Sequence, residues 1–121
     1  MTASLERGFK VITPTLRTSP IMHREYYDAA RVTYEAHVVA MPNEGCGPLT
    51  VFTDRDQAEG FAEGAGHRRV PLRVVECLFR RSTETDVWYV ASPATNGNPG
   101  FRWSAGDLPG VVLADAVTCL E

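Results

Sequence analysis

Apolar residues recur in two rhythms in this chain, and the change from one to the other falls inside residues 45–77 (GCGPLTVFTDRDQAEGFAEGAGHRRVPLRVVEC). Residues 48–53 (PLTVFT) are short, β-branched and aromatic, and they follow Gly47, which predicts a strand. Alternation sets Leu49 and Val51 on one face and Thr50 and Phe52 on the other, so Phe52 implies that both faces are covered. From Asp54 onward the period becomes helical, with Ala58, Phe61, Ala62 and Ala65 at i, i+3, i+4 and i+7. Asp54 is placed as N-cap, with Gln57 three residues on as in a capping box. Asp56 adds negative charge at the positive end of the helix dipole. Arg55 and Glu59 form an i,i+4 pair, and Gly66 can take the left-handed conformation that ends a helix. Phe61, in the middle of the stripe, is the expected core anchor. Gly60 and Gly64 lie one turn apart on the opposite side. Each interior Gly costs about 1 kcal/mol against Ala, so they either admit the close approach of a backbone or ligand or mark a weak helix end tolerated because the Phe61 face is buried, and the second reading is preferred.

The other segments read as strands and turns. Residues 9–13 (FKVIT) alternate and stop at Pro14, a first strand. Residues 21–31 fit either a helix capped by Ser19 and Pro20 or an irregular loop. Residues 32–41 alternate as a half-exposed strand with a break near Ala36, and 42–47 read as a turn. Residues 70–79 (VPLRVVECLF) form the longest strand, starting after Pro71 and apolar on both faces apart from Glu76. Its connection from 48–53 through the helix allows either a crossover or an antiparallel return. Residues 87–91 (VWYVA) are the expected hairpin partner of that strand. Residues 93–100 form a turn-rich loop, 106–110 another turn, and 111–113 and 116–120 two short closing strands. Together these predict one α+β domain: a mainly antiparallel, twisted sheet of about five strands with one principal helix over residues 54–65.

Composition adds bounds. Hydrophobic residues at 44% and charged residues at 22% fit an ordinary globular domain, and no apolar run is long enough for a membrane span. A net charge of −3 argues against binding by phosphate neutralisation, so nucleic acid is not an expected partner. Lys10 is the sole lysine beside eleven arginines, which reads as coding bias. The start of the chain lacks a signal-peptide pattern, and Cys46, Cys77 and Cys119 lack close spacing; both point to reduced thiols in the cytoplasm. Cys77 and Cys119 sit in apolar runs and are expected in the core, with Cys46 the most accessible.

The chain is similar to a set of short, uncharacterised bacterial and phage-type proteins. The residues that carry the likeness are Phe9-Lys10-Val11, Gly47, Leu49, Val51, Phe52, Ala58, Phe61, Ala62, Arg73-Val74-Val75, Pro109-Gly110, Val112 and Val117. These are fold-bearing positions, so the resemblance implies a compact α+β domain and no activity. It also favours the loop reading of 21–31.

Candidate chemistry is sparse. His23-x-Glu25 lacks the Pro-Cys-x-x-Cys of a zinc deaminase, and no other metal spacing occurs, so neither metal nor cofactor is expected. Cys46 with His23 or His37 would be a thiol–imidazole pair only if the fold joined them, and an exposed turn cysteine is the simpler reading. Thr53 before a helix and Glu76 on the next strand, with Arg31 or His37 upstream, look like part of an ADP-ribosyltransferase site. The Glu-x-Glu or Gln-x-Glu pair of such a site is missing. The strongest surface feature is Phe101-Arg102-Trp103, since aromatic and Arg residues concentrate at binding hot spots. The same residues could instead fold back as a lid on the sheet. The expectation is a non-catalytic binding or interaction module with an unknown protein or small-molecule partner. A small ADP-ribosyltransferase-like enzyme is the alternative.

Overall fold

The computed structural model describes residues 4–14, 17–18, 32–43, 46–64, 72–89, 101–107 and 110–121, with the backbone alone described at 64, 89, 101–103 and 107. Residues 21–31, where helix and loop compete, lie outside the described residues, as do the expected helix end at Ala65 and Gly66 and the loop 93–100. In chain order the elements are β1 (Glu6–Ile12), β2 (Val39–Ala40), β3 (Cys46–Gly47), β4 (Leu49–Phe52), α1 (Arg55–Gly64), β5 (Arg73–Arg81), β6 (Asp86–Tyr89), β7 (Phe101–Ser104) and β8 (Val111–Cys119). A 3-10 turn, Ala105–Asp107, leads toward β8. The α+β expectation holds, with the five-stranded sheet and the one principal helix.

That sheet runs β2-β8-β4-β1-β5, and β8 also pairs with β5. β1, β4, β8 and β5 therefore close into a ring in which every pairing is antiparallel. β4 and β5 both run against β1, so the chain passes from one to the other through α1 as a parallel crossover with β1 between them. The ring has two faces. Ile12, Leu49, Val51, Val75, Cys77, Phe79, Ala114, Val117 and Cys119 form one core, joined by Tyr34 and Ala40. Val11, Phe52, Ala58, Val87, Val111 and Leu113 form a second, between the ring and its covering elements. Leu49 and Val51 fall in the first and Phe52 in the second, as alternation requires.

α1 starts where the sequence places it. The Asp54 carboxylate accepts a hydrogen bond from the Asp56 amide at 2.7 Å, and the Asp54 carbonyl accepts from the Ala58 amide at 3.1 Å. The helix packs over β1, β4 and β5. Its fully buried residue is Ala58, whereas Phe61 is half-buried against the second core, its ring 5.6 Å from that of Phe52. Phe61 is thus a flanking contact rather than the central anchor. Gly60 has open space around the position of a Cβ, so no close neighbour explains it.

Several expected strands are arranged differently. β1 begins at Glu6 rather than Phe9, because β5 runs on to Arg81 and offers partners that far: Glu6 stands opposite Phe79. The Arg81 guanidinium also bridges both Glu6 oxygens at 2.8 Å. Residues 32–41 are not one strand. His37 has φ of 64° and its amide donates to the Cys119 carbonyl, which turns the chain and leaves only Thr33, Ala36 and β2 with ladder partners. Residues 87–91 were expected to pair with β5, but both edges of β5 are taken by β1 and β8. β6 pairs instead with β3 and β7 in a separate three-stranded sheet. That pairing also makes a strand of Cys46–Gly47, expected as a turn, and of Phe101–Ser104.

The two short closing strands are one. Along β8 the register against β5 passes from Arg80↔Ala116 to Arg81↔Ala114, so Asp115 is an extra residue, a β-bulge. The bulge reverses the alternation. Val112 and Ala114 face the first core before it, and Val117 and Cys119 face it afterwards. Read by period two, that reversal looks like a chain break.

Gly8 lies on β1 where the ring leaves no room. A Cβ there would stand 2.8 Å from the Phe52 carbonyl oxygen, 2.8 Å from Val51 Cγ1 and 2.9 Å from a Phe79 ring carbon. Because one of those neighbours is backbone, relief requires a strand to move. Gly8→Ala should lower stability by about 1–3 kcal/mol, the range for overpacked cores. Gly60→Ala, on the open side of α1, should raise it by about 1 kcal/mol. Urea melts of the two variants check this, and a tolerated Gly8→Ala would contradict the ring as described.

Candidate functional site

Strand alternation carries Lys10 into the ring. Gly8, Lys10 and Ile12 share one face of β1, and Ile12 belongs to the inner core. Lys10 is 1% exposed and is among the largest fully buried side chains. Its Nζ donates to the Thr50 carbonyl oxygen at 2.6 Å and to Thr50 Oγ1 at 3.0 Å, and lies 4.6 Å from the centre of the Tyr34 ring. Two charge-assisted hydrogen bonds and a cation–π contact replace only part of its water.

The segment that brings Tyr34 closes one end of the ring. Arg17 takes φ of 54° and is held on both sides: its carbonyl accepts from the Tyr34 amide at 2.8 Å, and its Nε donates to the Tyr34 carbonyl at 2.7 Å. One of its terminal guanidinium nitrogens donates to the Glu121 carbonyl. Thr13 and Thr18 are joined through their hydroxyls at 3.0 Å. Tyr34 is 2% exposed, and burial pushes its phenol well above the usual range.

Cys77 and Cys119 complete the group. Both are buried thiols, as expected of their apolar surroundings. Burial lowers the Lys10 pKa to about 8, against a smaller upward pull from the two cysteines. Burial likewise pushes Cys77 up to about 12 and raises Cys119, although the Lys10 charge opposes both. At neutral pH the interior therefore holds one ammonium and two neutral thiols. The amine becomes a free base only above about pH 8, and the enclosing residues leave it no open approach.

The residues singled out from sequence lie elsewhere. His37 is bound through its amide to Cys119 at one end of β8, while the Thr53 amide donates to Gly110 at the other. Nine strand residues separate those ends, on the order of 30 Å at the usual rise per residue. Glu76 is paired with Arg7, and Arg31 lies outside the described residues. His37 and Thr53 are thus not brought together. Cys46 is half-buried on β3 rather than exposed in a turn, and burial raises its pKa, the opposite of what a nucleophile needs. His23 lies outside the described residues. Among the described residues no group of three or more His, Cys, Asp or Glu could hold a metal ion, and no helix is long and apolar enough to cross a membrane.

Phe101, Arg102 and Trp103 lie on β7, in register with Tyr89, Trp88 and Val87. Trp88 is half-buried, its indole N–H donates to Glu84 at 2.8 Å, and a Cβ at Gly47 would meet its ring at ordinary contact distance. Sequence reading passed over both Trp88 and Lys10. The signal for Lys10 was its place on the face of β1 that also carries Ile12. Compared with known proteins, the chain matches no family model, no curated protein and no solved structure.

The sole lysine makes the Lys10 titration directly readable. A protein labelled only at lysine Nζ should show one side-chain resonance titrating near pH 8. Below that pH folded and unfolded chains both hold the proton, and the full cost of burying it is present. Between about 8 and 10.4 the folded chain has released the proton and the unfolded chain has not, so Lys10's contribution to stability rises with pH. The fall to about 8 corresponds to at most ~3 kcal/mol. Urea melts of wild type and Lys10→Met across this window should diverge in favour of wild type. The thiols affect both proteins alike, so a constant difference would contradict a charged, buried Lys10.

Proposed function

We propose that the protein is a non-catalytic binding or interaction module whose contact element is β7 with Phe101, Arg102 and Trp103. The observation that supports this is the position of β7 at the edge of the three-stranded sheet. Among the described residues it pairs on one side only, with β6. An edge strand offers a row of backbone donors and acceptors to an added strand, and side chains at alternate positions then supply selectivity. An aromatic–Arg–aromatic run on such an edge combines large contact area with directional donors. The partner class that suits it best is an extended segment of another protein.

Several charged groups in and around the ring are engaged within the fold. Lys10 is sealed inside the ring, Glu6 is paired with Arg81, and Glu76 with Arg7. A cytosolic setting suits three cysteines of which none forms a disulfide.

Trp103→Ala separates contact from lid. For a contact residue, the melting temperature should stay within a degree or two of wild type while capture of a partner from an extract of the source cells is lost. For a lid, stability should fall in proportion to the aromatic area uncovered, at about 25 cal/mol per Å². Unchanged melting together with unchanged capture would refute the assignment of this strand.

A further inference from the structure

Cys77 and Cys119 are direct cross-strand partners on β5 and β8. One residue outside the pair, the Leu120 amide donates to the Glu76 carbonyl at 2.9 Å. That bond identifies Cys77 and Cys119 as a non-hydrogen-bonded position of the ladder. Cα atoms at such positions stand about 4.5 Å apart with their side chains on one face, inside the ~4.4–6.8 Å range that a disulfide spans. Both thiols belong to the inner core of the ring, with exposures of 0% and 1%. They lie on the pairing that closes the ring, with the Lys10 ammonium beside them.

We propose that Cys77 and Cys119 form a reversible dithiol–disulfide pair, oxidised by a small peroxide, that staples β5 to β8 where the ring closes. When that seam opens, one thiolate attacks a peroxide oxygen. The O–O bond breaks, hydroxide leaves, and a sulfenic acid forms. The second thiol attacks that sulfur, the S–O bond breaks, water leaves, and the S–S bond forms. Two thiols thus give up two protons and two electrons, and hydrogen peroxide becomes two waters. A small dithiol reverses the step by exchange. The neighbouring ammonium favours the thiolate, while burial opposes it. Oxidation therefore waits on opening of the β5–β8 seam and is slower than that of an exposed thiol. Cys46, on β3 in the other sheet, takes no part.

The test uses the full chain with Cys46→Ser, or wild type with Cys46 alkylated under native conditions should that variant not fold. The protein is treated with hydrogen peroxide, then alkylated in denaturant and weighed intact. The expected product has lost two hydrogens, carries no alkyl group on Cys77 or Cys119, and yields a peptide pair joined through them. Dithiothreitol should restore both thiols, and the oxidised form should melt several degrees higher than the reduced form. Adding Cys119→Ala should abolish the loss of two hydrogens. Any of three results would overturn the proposal: both thiols still alkylatable after peroxide that consumes a free cysteine standard, separate oxygen adducts on the two sulfurs, or disulfide-linked dimers in place of the internal bond.

Discussion

Everything in the ring depends on β8 pairing along both edges. A four-stranded antiparallel sheet would ordinarily leave two open edges; here β8 meets β4 near its start and β5 near its end. The extra residue at Asp115 lies where β8 passes from β4 to β5, and such a bulge bends the strand and increases its twist, which suits a turn between the two partners. Barrel width grows with strand number, so a ring of four is narrow. Its interior accordingly uses Gly8 with no side chain, Ala114, and two cysteines alongside the larger Val51, Val75 and Phe79.

A narrow, closed interior makes a charge inside it consequential. Lys10 gives up hydration for two bonds to one residue, Thr50, and for the face of Tyr34. The depressed pKa records the part of that exchange left uncompensated. The Tyr34 segment needs its own restraint to stay across the ring mouth. Arg17 provides it in a left-handed backbone conformation that a non-glycine residue adopts only at a cost. The Tyr34 segment is thus held from two sides, by the Lys10 ammonium against its ring and by Arg17 on its backbone.

Local signals were legible in the sequence and closure was not. The N-cap at Asp54, the two-faced strand at Leu49–Phe52 and the start of β5 after Pro71 rest on neighbours within a few residues, and the structure retains them. The partner of β6 depends on whether the edges of β5 are free, which is a property of the closed ring and not of residues 86–89. The bulge at Asp115 removed the period-two signal that would have marked β8 as one strand. Lys10 was read only as a mark of coding bias, yet strand geometry assigns a face to every second residue whatever its charge. Phe101, Arg102 and Trp103 were visible in the sequence as an aromatic–Arg–aromatic run, while their position on an edge strand emerged only from the pairing of β6 with β3 and β7.

The order in which the interior groups lose their protons decides what chemistry the closed ring allows. With Lys10 near 8 and Cys77 near 12, rising pH removes the proton from nitrogen first. That step leaves an uncharged interior. Forming a thiolate next would place an unpaired negative charge in the same enclosed space, which is why burial raises both cysteines. The alternative, an ammonium–thiolate pair, would gain about 4 kcal/mol of attraction at 4 Å in a medium of intermediate dielectric. It would also desolvate two ions instead of none, and the Thr50 oxygens can satisfy only the ammonium. The closed ring therefore keeps its sulfurs protonated and unreactive across the neutral range. With both sulfurs buried, any reaction at Cys77 or Cys119 must begin with an opening of the ring, and the proposed place is the β5–β8 seam, so the pairing that builds the fold would also set the rate at which its interior is modified.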